Sequence, residues 1–330
     1  MEQEAPVGVN EGGDAGKSFL SRFAPAAAPL LALVALIALP LWNPGPNTVR
    51  LLFVTLTLVT TSVAWNLLGG FGGQVSFGFA VFYGLGAYTA ALSINGGIPP
   101  AVAFAIGAAV AALASLLIGL PTFRLKGPYF AIATIGVSEA VRVVMTNLPW
   151  TGGASGYRIL EKGRFFQMHH YYTALALAAL AVGISILVRR SKLGLALIAI
   201  REDQDAASDL GVNPFTTKLL VHALAAALAG AAGGVYARYA AFIDPEGVFA
   251  FRNGVAILLM PIIGGVGTIW GPVIGAFVYG LIHEEVVAYF PQAHLLIFGS
   301  LLILIILFEP GGVVGLFNRL MRLFVGGRKS

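Results

Sequence analysis

Apolar runs follow one another along this chain at about 26–42, 49–68, 77–94, 100–121, 129–148, 171–188, 218–240, 254–270, 272–290 and 293–308. They constrain the fold more than any other feature. Each approaches the roughly 20 residues that an α-helix needs to cross the hydrocarbon core of a bilayer. Hydrophobic residues make up 58% of the 330 and charged residues only 11%, a balance outside the range of soluble globular domains. The spacing predicts an all-α, polytopic transmembrane helical bundle of about ten spans, in which the hairpin at 254–290 either crosses fully or re-enters. The runs occupy most of the chain, so no soluble catalytic domain fits. The expected organisation is a disordered tail over 1–24, a transmembrane domain over 25–316 and a basic tail over 317–330.

Counted from an inside N-terminus, the inside loops carry Lys17, Arg22, Arg124, Lys126, Arg189, Arg190, Lys192, Arg201, Lys218, Arg319, Arg322, Arg328 and Lys329, against Arg158, Lys162 and Arg164 outside. This asymmetry predicts both termini, and the tails with them, in the cytoplasm. The first residues hold Glu2, Glu4, Glu11 and Asp14 before any base, unlike a secretory signal.

The longest polar interruption is the segment 191–217, which falls on the inside. Leu193, Leu197, Ile200, Ala207 and Leu210 recur at helical spacing, Gly211 suits a helix C′ position and Pro214 forbids simple continuation. The pattern predicts one short amphipathic helix between two spans, with an ordinary solvated loop holding some helix as the alternative; one Arg, one Glu and three Asp fall between Arg201 and Asp209.

Two glycine-broken segments, 68–79 (LGGFGGQVSFGF) and 263–272 (IGGVGTIWGP), are followed by the similar strings Phe82-Tyr83-Gly84-Leu85 and Val278-Tyr279-Gly280-Leu281. The likeness suggests corresponding places in two related halves. Broken helices leave backbone groups that only protein or water can satisfy, so Gln74, Ser76, Gly264 and Gly265 are candidates for a translocation path. Close helix packing through small residues explains the same glycines equally well.

A charge at mid-bilayer costs roughly 2.5 to 3.5 kcal/mol to insert, so charges within runs are informative. Glu139 and Arg142 lie three apart on one helix face and can pair. They mark either a polar seam on the path or an anchor at the outer interface. His222 and Arg238 sit near opposite ends of one run, where snorkelling suffices. Outside, Thr151-Gly152-Gly153-Ala154-Ser155-Gly156 opens the longest connection, which either meets solute or a delivering protein or is a turn cluster.

Catalytic patterns fail one by one. The string Gly13-Asp14-Ala15-Gly16-Lys17-Ser18 lacks the first glycine of a phosphate loop, since position 11 is Glu. His283-Glu284-Glu285 lacks the second histidine of a zinc-protease motif, because position 287 is Val. The adjacent His169 and His170 diverge on a helix. There is no cysteine, which removes disulfides, thiolate nucleophiles and Cys-bound metals. Too few acids lie within the runs for proton or sodium coupling, so the energy for transport is expected from a partner. A stand-alone channel or ion-coupled carrier is the rival reading.

Several strings occur in one order: Gly73-Gln74-Val75-Ser76-Phe77-Gly78, then 123–134 (FRLKGPYFAIAT), Thr151-Gly152-Gly153, 199–207 (AIREDQDAA) with Gly211-Val212-Asn213, 228–234 (LAGAAGG) and 264–272 (GGVGTIWGP). Together, over about residues 50 to 316, they closely resemble the LivM-type permease subunit of branched-chain amino acid ABC importers. The resemblance implies a bacterial inner-membrane protein that pairs with a LivH-type permease, two cytoplasmic ATPases and a periplasmic solute-binding protein. ATP and Mg would belong to the ATPases, with no cofactor in this chain and no nucleic-acid partner. It also implies that the segment before Gly211 docks on an ATPase, with Arg201, Glu202, Asp203, Ala206, Ala207, Leu210 and Gly211 at the contact. Ala206, Ala207 and Leu210 are expected to enter an apolar cleft there. The related urea permease leaves urea or an amide as the alternative solute.

Overall fold

The computed structural model describes residues 31–42, 44–125, 127–160, 167–289, 293–309, 311–317 and 319. The expectations for the tail 1–24, for the string at 13–18 and for nearly all of 317–330 lie outside them. The chain divides into two units, Met1–Gly45 and Pro46–Ser330. The described part of the first is a helix over 31–38 continued by a 3-10 turn at Leu39–Trp42.

The second unit is helical. Its elements are α1 (Pro46–Leu68), α2 (Ala80–Asn95), α3 (Pro100–Thr122), α4 (Pro128–Asn147), α5 (Gln167–Arg190), α6 (Lys192–Glu202), α7 (Gln204–Asp209), α8 (Pro214–Ala240), α9 (Pro245–Phe249), α10 (Phe251–Gly264), α11 (Gly271–Tyr289) and α12 (His294–Phe308). Proline opens α1, α3, α4, α8 and α9, where its fixed φ is helical and its missing N–H is not needed. Side-chain caps reinforce several starts: Asn213 Oδ1 accepts from Thr216 N at 3.1 Å before α8, and Asp244 Oδ2 from Gly247 N at 2.9 Å before α9.

Among the described residues six stretches are long and apolar enough to cross a membrane: α1, α3, α4, α5, α8 and Pro245–Gly264, which joins α9 to α10. The other apolar runs of this unit fold as shorter pieces: α2 of 16 residues, α11 with its apolar part Gly271–His283, and α12 of 15. The chain is thus a polytopic helical membrane protein.

The long helix α8 packs along α2 and α3, and α1 lies among α5, α8 and α11. Small residues allow this closeness. A Cβ at Gly86 would run into the backbone of Gly230, and one at Gly107 would come within 2.8 Å of the Gly86 carbonyl, so α2, α3 and α8 cross at backbone contact. In α1 two buried threonines hand their hydroxyl protons back to the helix, Thr57 to Phe53 O at 3.0 Å and Thr60 to Leu56 O at 3.1 Å, which satisfies both donors in an apolar setting.

One end of the unit is closed by the connection after α4. Thr151 is fully buried and donates its hydroxyl to Leu148 O at 2.9 Å, while Asn95 Nδ2 donates to Arg158 O at 2.9 Å. The two-residue strands β1 (Tyr157–Arg158) and β2 (Phe242–Ile243) pair antiparallel, Tyr157 opposite Ile243. Thr151 therefore presents no side chain to solvent, whereas Ala154 and Ser155 beside it are exposed. At the opposite end lie the polar pair α6–α7 and both glycine breaks.

Candidate functional site: the polar helix pair and the glycine breaks

The polar interruption folds as two helices where one was expected. Asp203 leaves helical geometry (φ −153°, ψ 114°), and its Oδ1 accepts from Asp205 N at 2.9 Å and Ala206 N at 3.0 Å, capping α7. Ser191 caps α6 by accepting from Gly194 N at 3.4 Å. Leu197 and Ile200 on α6 are buried, as their spacing requires. Ala207 is only 2% exposed, so it faces this chain and does not belong to an outward apolar face. Leu210 is 85% exposed, and Glu202, Asp203, Ala206, Ser208 and Asp209 are exposed beside it; Gly211 follows α7 with φ +87°.

Arg201 keeps exposed surface but also reaches back to the first break. Its Nη1 donates to Gly70 O at 3.0 Å, and Gly73 lies so close that a Cβ there would sit 2.9 Å from Arg201 Cγ. A Cβ at Gly267, in the second break, would meet Arg201 Nη1 at 2.5 Å and Gly70 O at 3.1 Å. One guanidinium therefore lies against both breaks. Its location follows from charge as well as reach, because the carbonyls just past the C-terminus of α1 are unpaired acceptors at the negative end of a helix dipole.

Two further cations converge on the first break. Lys218, near the start of α8, is only 6% exposed, and its Nζ donates to Gln74 Oε1 at 3.0 Å and Gln204 Oε1 at 2.6 Å, tying the break to α7. The Arg189 guanidinium lies 5.7 Å from the centroid of the Phe71 ring, within cation–π range. Beside Lys218 a cavity of about 170 Å³ is lined by Phe123, Gln204, Asp205, Ser208, Pro214 and Phe215.

The last turns of α1 clamp the breaks from inside. Trp65 Nε1 donates to Ser76 O at 2.8 Å. Asn66 uses both ends of its amide, accepting from Gly267 N and donating to Thr268 O, each at 2.9 Å. Ser62 Oγ donates to Pro272 O at 2.9 Å. Thr268 Oγ1 closes the second break by donating to Gly265 O at 2.8 Å and accepting from Gly271 N at 2.9 Å. Gly264 ends α10 against the backbone of Gly271.

Of the path candidates, Gln74 is engaged with Lys218, whereas Ser76 lines a narrow cavity of about 10 Å³ with Thr122, Thr134 and His222, a volume about that of one water. His222 does not snorkel. It is 3% exposed and enclosed by the rings of Phe79, Phe82 and Phe123 at 6.4, 4.9 and 5.2 Å between centroids, and its Nδ1 has no hydrogen-bond partner among the described residues. Glu139 and Arg142 pair as expected, and Arg142 Nη1 also donates to Glu246 on α9 at 2.8 Å. Glu139, Arg142 and Glu246 all retain exposed side-chain surface, so this three-membered cluster faces out of the chain. No cluster able to hold a metal ion occurs among the described residues.

Ser62, Trp65, Asn66 and Lys218 were not among the expected site residues. Their signal was present: an indole and an amide sit in the last turn before a glycine break, and a lone lysine opens an apolar run.

Comparison with known proteins adds a family. Residues 47–306 match the family described as branched-chain amino acid transport system, permease component. The chain is 29% identical over 334 residues to the high-affinity branched-chain amino acid transport system permease protein LivM of Escherichia coli K12, spanning 91% of this chain and 78% of that one. It is 26% identical over 321 residues to the probable branched-chain amino acid transport permease protein LivH of Methanocaldococcus jannaschii, covering 94% and 96% of the two chains. A shorter match, 32% over 144 residues and 43% of this chain, is to the LivH permease protein of Escherichia coli K12, of which it covers 45%. No solved structure matches.

Proposed function

The chain belongs to the permease-component family of branched-chain amino acid transport systems, and from that membership we propose that it carries branched-chain or related hydrophobic amino acids as one half of an ATP-driven importer. In this reading it sits in a bacterial inner membrane with both termini cytoplasmic and pairs with a LivH-type permease. Two cytoplasmic ATPases bind and hydrolyse Mg-ATP, and a periplasmic binding protein delivers the solute. This chain hydrolyses nothing itself. The observation that carries the reading is the exposed α7 end: a capped helix followed by a solvent-exposed Leu210, while Gln204 at its start is tied through Lys218 to the first glycine break.

Alternating access between 1:99 and 99:1 needs about 5.5 kcal/mol of differential binding. Surface ion pairs from Glu202 or Asp203, worth roughly 0 to 1 kcal/mol each, do not reach that. Burying Leu210 in an ATPase cleft, with Ala206 beside it, adds about 1.5 to 3 kcal/mol; nucleotide-driven closure of the ATPases supplies the rest. The docking surface is therefore Glu202, Asp203, Ala206, Leu210 and Gly211. At the other end, the cluster of Glu139, Arg142 and Glu246 is exposed on α4 and α9, where lipid is a poor solvent for charge. That face is assigned to the partner permease and the aqueous path between the two, with Ser76 and the second break around Gly264 and Gly265 nearer the cytoplasmic gate.

Co-purification tests the docking surface. Leu210→Arg changes a side chain that touches little of this chain, so the permease should fold and pair normally while the ATPases are lost during purification. Retention of both ATPases at wild-type stoichiometry would place docking elsewhere.

A further inference from the structure

Resting on the importer reading, we propose that Arg201 and Lys218 are positioning residues that transmit movement of the docking helices to the two glycine breaks. Arg201 belongs to α6, yet its guanidinium is bonded to the Gly70 carbonyl and lies against Gly267. Lys218 belongs to α8, yet its ammonium joins Gln204 of α7 to Gln74 of the first break. The two cations thus couple α6–α7 to the first break, 69–79, by directional hydrogen bonds, and Arg201 also lies in contact with Gly267 of the second.

Directionality is the reason to assign the task to these bonds and not to the packing around them. Buried Leu197 and Ile200 hold α6 by apolar contact, Leu197 beside Gly72 of the first break, and such contact is non-directional. A hydrogen bond of 3.0 Å weakens steeply when stretched or bent. A shift of α6–α7 therefore either drags the breaks along or ruptures the two links. The breaks are able to follow because they are glycine-rich and lie outside regular helix, whereas α3 and α8, locked at Gly107 and Gly230, are not. Asn66 binds Gly267 N–H and Thr268 C=O, so the second break is anchored to α1 where Arg201 lies against it.

The test uses the complete assembly in nanodiscs and compares ATP hydrolysis with and without solute-loaded binding protein, alongside uptake in liposomes. Lys218→Met should retain both ATPases and basal hydrolysis, and both it and Arg201→Gln should lose about tenfold or more of the stimulation and of the uptake, the scale expected for one charged hydrogen bond that differs between states. Arg201→Lys, which keeps the charge with a shorter reach, should recover part of the loss. Hydrogen exchange on the permease pair alone gives a second readout: Arg201→Gln should speed exchange in 69–75 and 265–268 and leave α3 unchanged. Wild-type stimulation in both variants, or no change in exchange at the breaks, overturns the proposal. A wild-type assembly that binds no ATPase, or shows no stimulation, instead counts against the importer reading on which it rests.

Discussion

Asn66→Leu is the substitution whose cost can be worked most directly from the geometry. The side chain is fully buried, and its amide satisfies two backbone groups of the second break, Gly267 N–H and Thr268 C=O, each at 2.9 Å. Leucine has nearly the same shape and satisfies neither. A stranded buried polar group costs roughly 1 to 3 kcal/mol, and both groups here are only partly buried, so the sum falls at about 2 to 3 kcal/mol. Ser62→Ala is the internal control. It removes a single hydroxyl bond to Pro272 O and should cost only about 0.5 to 1.5 kcal/mol. Unfolding of the purified permease in mixed micelles with increasing denaturing detergent reads both, and amide exchange at Gly267 localises the effect. If Asn66→Leu is no more damaging than Ser62→Ala, the second break is not held by that amide.

Other substitutions probe the two ends of the unit. In this cysteine-free chain, cysteines placed at the exposed Ser155 and Ser208 should be labelled from opposite sides of the membrane by an impermeant maleimide; labelling of both from one side contradicts the arrangement of α4, α5 and α8. Ala207→Arg forces a charge into a site that is 2% exposed, so it should loosen α7 itself and speed proteolysis within 203–213, whereas Leu210→Arg should leave that segment as resistant as wild type. Equal resistance in the two variants would show that Ala207 is not packed as described.

The apolar runs made the membrane bundle legible, and the glycine clusters located both breaks, because burial of spans and interruption of helices leave direct marks on composition. The polar stretch between α5 and α8 was equally plain. Its internal break was not, although Asp203 followed by Gln204, Asp205 and Ala206 is an N-cap pattern. Spacing grouped Ala207 with Leu197 and Ile200, and it is buried as they are; Leu210, grouped with them too, lies beyond the break, which resets the helical phase, and is exposed. The bonds of Arg201 and Lys218 were not legible, because their partners Gly70 and Gln74 lie 131 and 144 residues away and no local pattern encodes such a pairing. His222 was expected to reach the interface from the end of its span. The phenylalanines 79, 82 and 123 cover that end, so distance along the helix misjudged its depth.

Uptake of labelled leucine into proteoliposomes tests the central claim most directly. The chain is reconstituted with its partner permease, with and without the ATPases, the loaded binding protein and ATP. Uptake is expected only when all of them are present. Solute-specific uptake by this chain, alone or with the partner permease but without ATPase and ATP, would contradict an ATP-driven importer and favour a channel or ion-coupled carrier.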